Sequence, residues 1–265
     1  MKIFLKTEDE IELMRKANRL VGKTLGEIGK HVAPGVTTLQ LDKIAEEFIR
    51  DNGAVPAFKG FPNPFGSPFP ASICTSVNDV VVHGIPDAKT VLSDGDIVSV
   101  DCGVLLDGFN GDSCYTFCVG EVEAEVRRLI DVTKKTLYCG VEKAVAGKHI
   151  GDISHAVQDC CEASGYGVVR ELTGHGIGRE MHEDPPVPNY GSVGSGILLK
   201  AGMCLAIEPM VTMGGRSIFM MPDRWTIRTR DGNPAAHFEH TVVVRSGKAE
   251  ILSSFEEVEE LEGIS

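Results

Sequence analysis

The chain has 265 residues, 42% hydrophobic and 24% charged, the makeup of a soluble globular protein long enough to bury a full core. Its net charge of −12 argues against direct nucleic-acid binding, since duplex recognition calls for a basic face. No stretch approaches the ~18 apolar residues of a membrane span, and Met1-Lys2-Ile3-Phe4-Leu5-Lys6 runs into Glu8-Asp9-Glu10 without the apolar run of a secretory signal, so a cytoplasmic protein with no membrane contact is expected.

In chain order, apolar residues at helical spacing predict helices near 7–31, 37–52, 122–146 and 151–164. Alternating or apolar runs predict strands near 71–76, 80–83, 97–104, 112–119, 204–208, 225–230 and 236–244. Residues 56–70 hold five prolines, two glycines and four phenylalanines, which suits an ordered loop over a pocket better than a linker. The pairs Arg127-Arg128 and Lys134-Lys135 read as solvated helix faces. Eight cysteines show no C-x-x-C spacing, and Cys160-Cys161 are adjacent. Reduced, mostly buried thiols are expected rather than disulfides or a zinc site.

The chain resembles itself. Asp94 to Asp101 aligns with Ala201 to Glu208, each a glycine turn followed by a short apolar strand ending on a carboxylate. Gly35 to Gly53 likewise resembles Gly147 to Gly165, and His83-Gly84-Ile85 is echoed by His175-Gly176-Ile177. A duplicated unit would set Asp101 and Glu208 facing each other across a central cleft.

The carboxylates then carry the chemistry. Asp107-Gly108 suits the left-handed dihedrals of a two-residue hairpin turn. That turn opposes Gly103 to Asp112 and Asp101 to Cys114, and places both aspartates on one face with open space opposite Asp112. Two such charges repel unless a cation bridges them or one is protonated. Glu208 closes an apolar strand before Pro209, and Glu239 enters a valine-rich strand that it shares with His237 and Thr241 on one face. A buried glutamate there is costly unless paired or coordinated. His175 lies among Gly174, Gly176 and Gly178, which clear space around its ring. One imidazole with four carboxylates suits hard or borderline divalent ions, and four acids balance two of them.

Several segments together resemble the type I methionine aminopeptidases across nearly the whole chain. They are Ser76 to Pro86, the Asp101/Asp112 hairpin, Gly174 to Gly178, Met181-His182-Glu183, Ile207 to Met210 and Phe238 to Thr241. The resemblance implies an α/β (α+β) pita-bread fold, with helices outside a central antiparallel sheet. One catalytic domain over 1–265 would hold two pseudo-symmetric halves, approximately 33–120 and 145–245. It implies two divalent ions (Co, Mn, Fe or Zn), bridged by Asp112 and Glu239, with Asp101 a terminal ligand of one ion and His175 and Glu208 of the other. A hydroxide activated by both ions would attack the scissile carbonyl. Glu208 would shuttle the proton, His182 stabilise the oxyanion and His83 contact the substrate backbone. Phe65, Phe69, Cys74, Met181 and Trp225 would line the methionine pocket.

By the same resemblance the substrates would be nascent chains with a small second residue, cleaved by a monomer near the ribosomal exit tunnel. Two other readings stand beside it, an Xaa-Pro aminopeptidase or prolidase and a non-catalytic binding relative. The sequence departs from the family pattern at His237, where a glutamine is expected, and in a longer, proline-richer loop over 60–70. Cys102 and Cys114 flank the ligand hairpin, and Cys114 is expected to make the site oxidation-sensitive.

Overall fold

A computed structural model describes residues 2–263. The first half opens with α1 (Glu8–Gly29) and α2 (Thr38–Asp51), followed by β1 (Val55–Pro56), β2 (Ile73–Val77), β3 (Val80–Val82), β4 (Ile97–Leu106) and β5 (Phe109–Cys118). The second half opens with α3 (Ala124–Val141) and α4 (Ile150–Glu162), then β6 (Gly167–Val168), β7 (Thr173–Gly176), β8 (Glu183–Pro188) and β9 (Cys204–Ile207). It continues through β10 (Met210–Thr212), β11 (Ile218–Met220), β12 (Ile227–Thr229), β13 (Ala235–His237), β14 (Glu239–Val243), β15 (Glu250–Ile251) and α5 (Glu256–Glu262).

The first two helices begin where side chains satisfy their orphan N–H groups. Thr7 with Glu10 caps α1, and Thr37 with Gln40 caps α2, each as a reciprocal box. A nine-stranded antiparallel sheet runs β1-β4-β5-β14-β9-β7-β8, with β2 joined to β4 and β15 to β14. The two segments that resemble each other make matching backbone contacts. The N–H of Gly35 donates to the Leu92 carbonyl (2.7 Å) and that of Gly147 to the Leu199 carbonyl (3.0 Å). Both glycines sit at positive φ, 90° and 92°, where L side chains are strained.

Three expectations need correction. The strand read over 236–244 is two strands in two sheets: His237 pairs with Met210, whereas Glu239 pairs with Cys114. Buried Phe238 stands at the break, edge-on to Tyr115 and in contact with Phe255. The sequence reading also misses β7 and β8, because Thr173-Gly174-His175-Gly176 and Glu183-Asp184-Pro185-Pro186-Val187-Pro188 carry residues depleted from strands. Finally, the space beside Gly103 is not open. A side chain there would collide with Phe58 and with Met181, at 2.8 Å from the latter's methyl.

The sheet's outer face is set by close backbone approach. A Cβ on Gly111 of β5 would lie 2.7 Å from the Ala17 carbonyl carbon and 2.7 Å from the Asn18 nitrogen of α1. No flexible side-chain end is there to yield. Gly111→Ala is therefore expected to cost about 1–3 kcal/mol and to lower the melting temperature by roughly 3–10 °C. Thermal unfolding followed by circular dichroism checks this; an unchanged melting temperature would mean that α1 does not bear on β5 as described.

Candidate metal centre

The hairpin register fixes the first two acids. Asp101 stands opposite Cys114 and Gly103 opposite Asp112, around a turn in which Asp107 and Gly108 take φ of 51° and 80°. Each carboxylate backbone is anchored beyond its own strand. The Asp112 N–H donates to Asn18 Oδ1 of α1 at 3.3 Å, and the Thr241 hydroxyl donates to the Asp112 carbonyl at 2.8 Å. The Ser113 hydroxyl donates to the Glu239 carbonyl at 2.6 Å, and Asn189 Nδ2 to the Glu208 carbonyl at 2.9 Å. Glu208 itself lies just beyond β9, held before Pro209.

Burial lowers the His175 pKa to about 3, so its ring is neutral. A carbonyl oxygen can only accept, so the 2.9 Å contact to the Gly176 carbonyl requires Nδ1–H as donor. Nε2 then carries a lone pair, and it lies 3.8 Å from an Asp112 oxygen and 3.6 Å from a Glu208 oxygen. A histidine that binds a metal through one ring nitrogen commonly has the other held by a carbonyl in this way. Ligand atoms of Asp112, His175 and Glu239 all fall within 4.8 Å of one another.

The acids have no protein partners for part of their surface. Asp101 Oδ1, Asp112 Oδ1 and Glu239 Oε1 are buried without a hydrogen bond. Two unit charges 4.8 Å apart repel by roughly 3–4 kcal/mol at an effective dielectric near 20. Burial pushes Asp101 up to about 7. Burial and then Asp101 raise Asp112 and Glu208, and Glu239 is raised by burial and then by Asp112. Orphaned, mutually repelling carboxylates beside a lone-pair nitrogen are a donor set that fits divalent cations.

A cleft of about 180 Å³ is lined by all five of these residues together with His83, His182 and His237. His182 stands edge-on to His175, ring centroids 4.4 Å apart, and to Phe61 at 5.1 Å. His83 holds a left-handed φ of 58°, an outlier for a residue with a side chain and a mark of strained functional backbone. Burial drives the His83 pKa down to about 4, His182 contributing, and burial lowers that of His182. Both rings are therefore neutral near pH 7. His237 faces the cleft with Nε2 unpaired and 3.8 Å from a Glu208 oxygen.

The apolar wall is built by the aromatic loop, though not by all the residues expected. Phe69, Cys74 and Trp225 line the cleft, and so do Phe58 and Phe61, which the sequence reading passed over. Trp225 Nε1 donates to the Ser67 carbonyl at 3.0 Å, and Asn63 Nδ2 donates to the Arg224 carbonyl at 3.0 Å, which ties the loop down. Phe65 is 81% exposed and contributes nothing to the wall. Met181 is buried behind it, against Gly103, rather than lining it. Phe58 and Phe61 were legible only as members of an aromatic-rich loop, since loop spacing does not say which rings turn inward. Cys114 is fully buried, its thiol raised by burial and directed at the His237 carbonyl (3.5 Å), an inert setting rather than an oxidisable one.

The sequence profile of metallopeptidase family M24 matches residues 12–246. A methionine aminopeptidase of Clostridium acetobutylicum is 51% identical over 251 residues, covering 95% of this chain and 98% of its own. Methionine aminopeptidase 1 of Bacillus subtilis is 46% identical, covering 95% and 99%. The crystal structure of methionine aminopeptidase from Thermotoga maritima superposes with a TM-score of 0.92 at 41% identity, covering 96% of this chain and 100% of its own.

The raised acids have a signed consequence for stability. In the unfolded chain an aspartate titrates near 3.9, but in the folded, metal-free cleft Asp101 holds its proton to about 7. The folded state thus binds more protons between those values, and metal-free stability falls as pH rises through that window. Metal binding, which requires the deprotonated acids, removes the penalty. The gain in melting temperature on adding Mn is expected to be small at pH 5 and on the order of 5–10 °C larger at pH 8. Differential scanning fluorimetry across that range checks it; a gain independent of pH would contradict it.

Proposed function

The chain belongs to metallopeptidase family M24, among its type I methionine aminopeptidases, and from that premise we propose how its cleft residues divide the work of the reaction. The activity is metal-dependent hydrolytic removal of the initiator methionine from polypeptides, on a pita-bread α+β fold. One catalytic domain built from two pseudo-symmetric halves carries it.

Two divalent ions would be held by Asp101, Asp112, His175, Glu208 and Glu239. When bound, such ions lower the pKa of a water and polarise a carbonyl. The remaining steps fall to the chain. Glu208, with one oxygen 3.8 Å from the unpaired Nε2 of His237, takes up a proton from the attacking water and passes it to the leaving amine. His182 donates as a neutral imidazole to the oxygen that gains charge. His83, fixed by its backbone strain, contacts the substrate backbone near the scissile bond. Phe58, Phe61, Phe69, Cys74 and Trp225 receive the methionine side chain, whose thioether packs well against aromatic rings.

One observation carries this reading: an imidazole with a free Nε2 and four acids share a single cleft with an aromatic wall. The preferred substrates are nascent chains with a small second residue, met as a monomer in the cytoplasm near the ribosomal exit. In support, no helix among the described residues is long and apolar enough to cross a membrane.

The test compares hydrolysis of Met-Ala-Ser and Ala-Pro-Ser by metal-free protein refilled with Mn, Fe, Co or Zn. Cleavage of the methionine peptide alone is expected; cleavage of the proline peptide alone, or of neither, would overturn the reading. His182→Ala is expected to lower kcat by about 10²–10³-fold with KM little changed. Steady-state kinetics that show a raised KM at unchanged kcat would instead make His182 a binding residue.

A further inference from the structure

Helices α3 and α4 meet at two cysteines that the reaction does not use. Cys139 lies in the last turn of α3 and Cys160 in the last turn of α4. Their sulfurs are 2.8 Å apart, closer than two thiols ordinarily approach. Both are half-buried, whereas Cys74, Cys102, Cys114, Cys161 and Cys204 are buried. Among the described residues no other two cysteines make such a contact. The pair opens on a surface depression beside Lys135, His155 and Asp159, which gives small molecules access.

The helices cannot easily separate at this point. Gly140, next to Cys139, sits where a Cβ would come within 2.8 Å of Val157 on α4 and 3.2 Å of Ile207 on β9. The α3 backbone at Gly140 therefore packs directly on the Val157 side chain of α4, one residue from Cys139. A disulfide bond is about 2.05 Å long, so bonding needs under about 1 Å of further approach, within reach of χ1 adjustment.

We propose that Cys139 and Cys160 form an oxidisable dithiol, a modification site that a hydroperoxide closes reversibly into a disulfide tying α3 to α4. The Cys160 sulfur attacks a peroxide oxygen and the O–O bond breaks, giving a sulfenic acid and one water. The Cys139 sulfur then attacks the Cys160 sulfur, and its proton leaves with the hydroxyl as a second water. Two thiols lose two electrons, and hydrogen peroxide gains them. Burial and then Cys160 push the Cys139 thiol up to about 12, which disfavours Cys139 as the first nucleophile. Disulfides of this transient kind are those found in reducing compartments. Neither cysteine lines the cleft, so oxidation here is separable from the peptidase reaction.

The test treats zinc-loaded protein, whose metal is redox-inert, with a small excess of hydrogen peroxide. Non-reducing alkylation and peptide mapping by mass spectrometry follow. The expected result is a linked Cys139–Cys160 peptide lighter by two hydrogens, with a melting temperature raised by roughly 5–10 °C. Dithiothreitol reverses both changes. Cys139→Ser and Cys160→Ser abolish both, while Cys118→Ser and Cys161→Ser retain them. Full alkylation of both cysteines after peroxide, linkage to another cysteine, or sulfinic acid at Cys160 without linkage would overturn the proposal.

Discussion

Four carboxylates stand in one desolvated cleft, and they cannot all be ionised there without positive charge from outside the chain. Each of Asp101, Asp112, Glu208 and Glu239 is raised by burial, and three of the four are raised further by one another. Among the described residues the cleft lining holds no lysine or arginine; its basic side chains are histidines, of which His83, His175 and His237 are held neutral by burial. Burying such a set is tolerable when cations complete it and costly otherwise. The fold around the cleft follows from holding that arrangement in place.

That holding is done through backbone atoms, which leaves the carboxylate oxygens free. Asn18 fixes Asp112, Ser113 fixes Glu239, and Asn189 fixes Glu208, each bonding to main chain instead of the acid itself. The break at Phe238 serves the same end. It lets His237 pair with β10 while Glu239 pairs with β5, so both side chains reach the cleft from different sheets. The Thr116 hydroxyl secures the join, accepting from the His237 N–H at 3.1 Å and donating to the His237 carbonyl at 2.7 Å. His237 thereby becomes a fixed, unpaired imidazole beside Glu208.

Much of this was legible in the sequence wherever a local rule had one solution. Asp107-Gly108 admits one tight turn, and the register from it to Asp101 and Asp112 follows from the alternation of side chains. The first four helices were legible from periodicity, with ends off by at most about five residues, whereas the short α5 was not read. What stayed hidden depends on tertiary contact. The strand carrying His175 is half glycine, and only its pairing with β8 and β9 makes it a strand. Nothing in residues 56–70 tells that Phe58, Phe61 and Phe69 turn inward while Phe65 turns out, because Trp225 and Arg224, more than 150 residues away, tie the loop. Space opposite Asp112 was inferred from Gly103, yet Phe58 and Met181 from elsewhere in the chain occupy it.

The most direct measurement of the central claim is a cobalt titration of metal-free protein under anaerobic conditions, followed by calorimetry and visible absorption. Two equivalents bound per chain, with proton release and with both sites weakened by Glu239→Gln, is the result expected if the four acids exist to hold two shared cations. No binding at micromolar protein, or binding left untouched by that substitution, would contradict it.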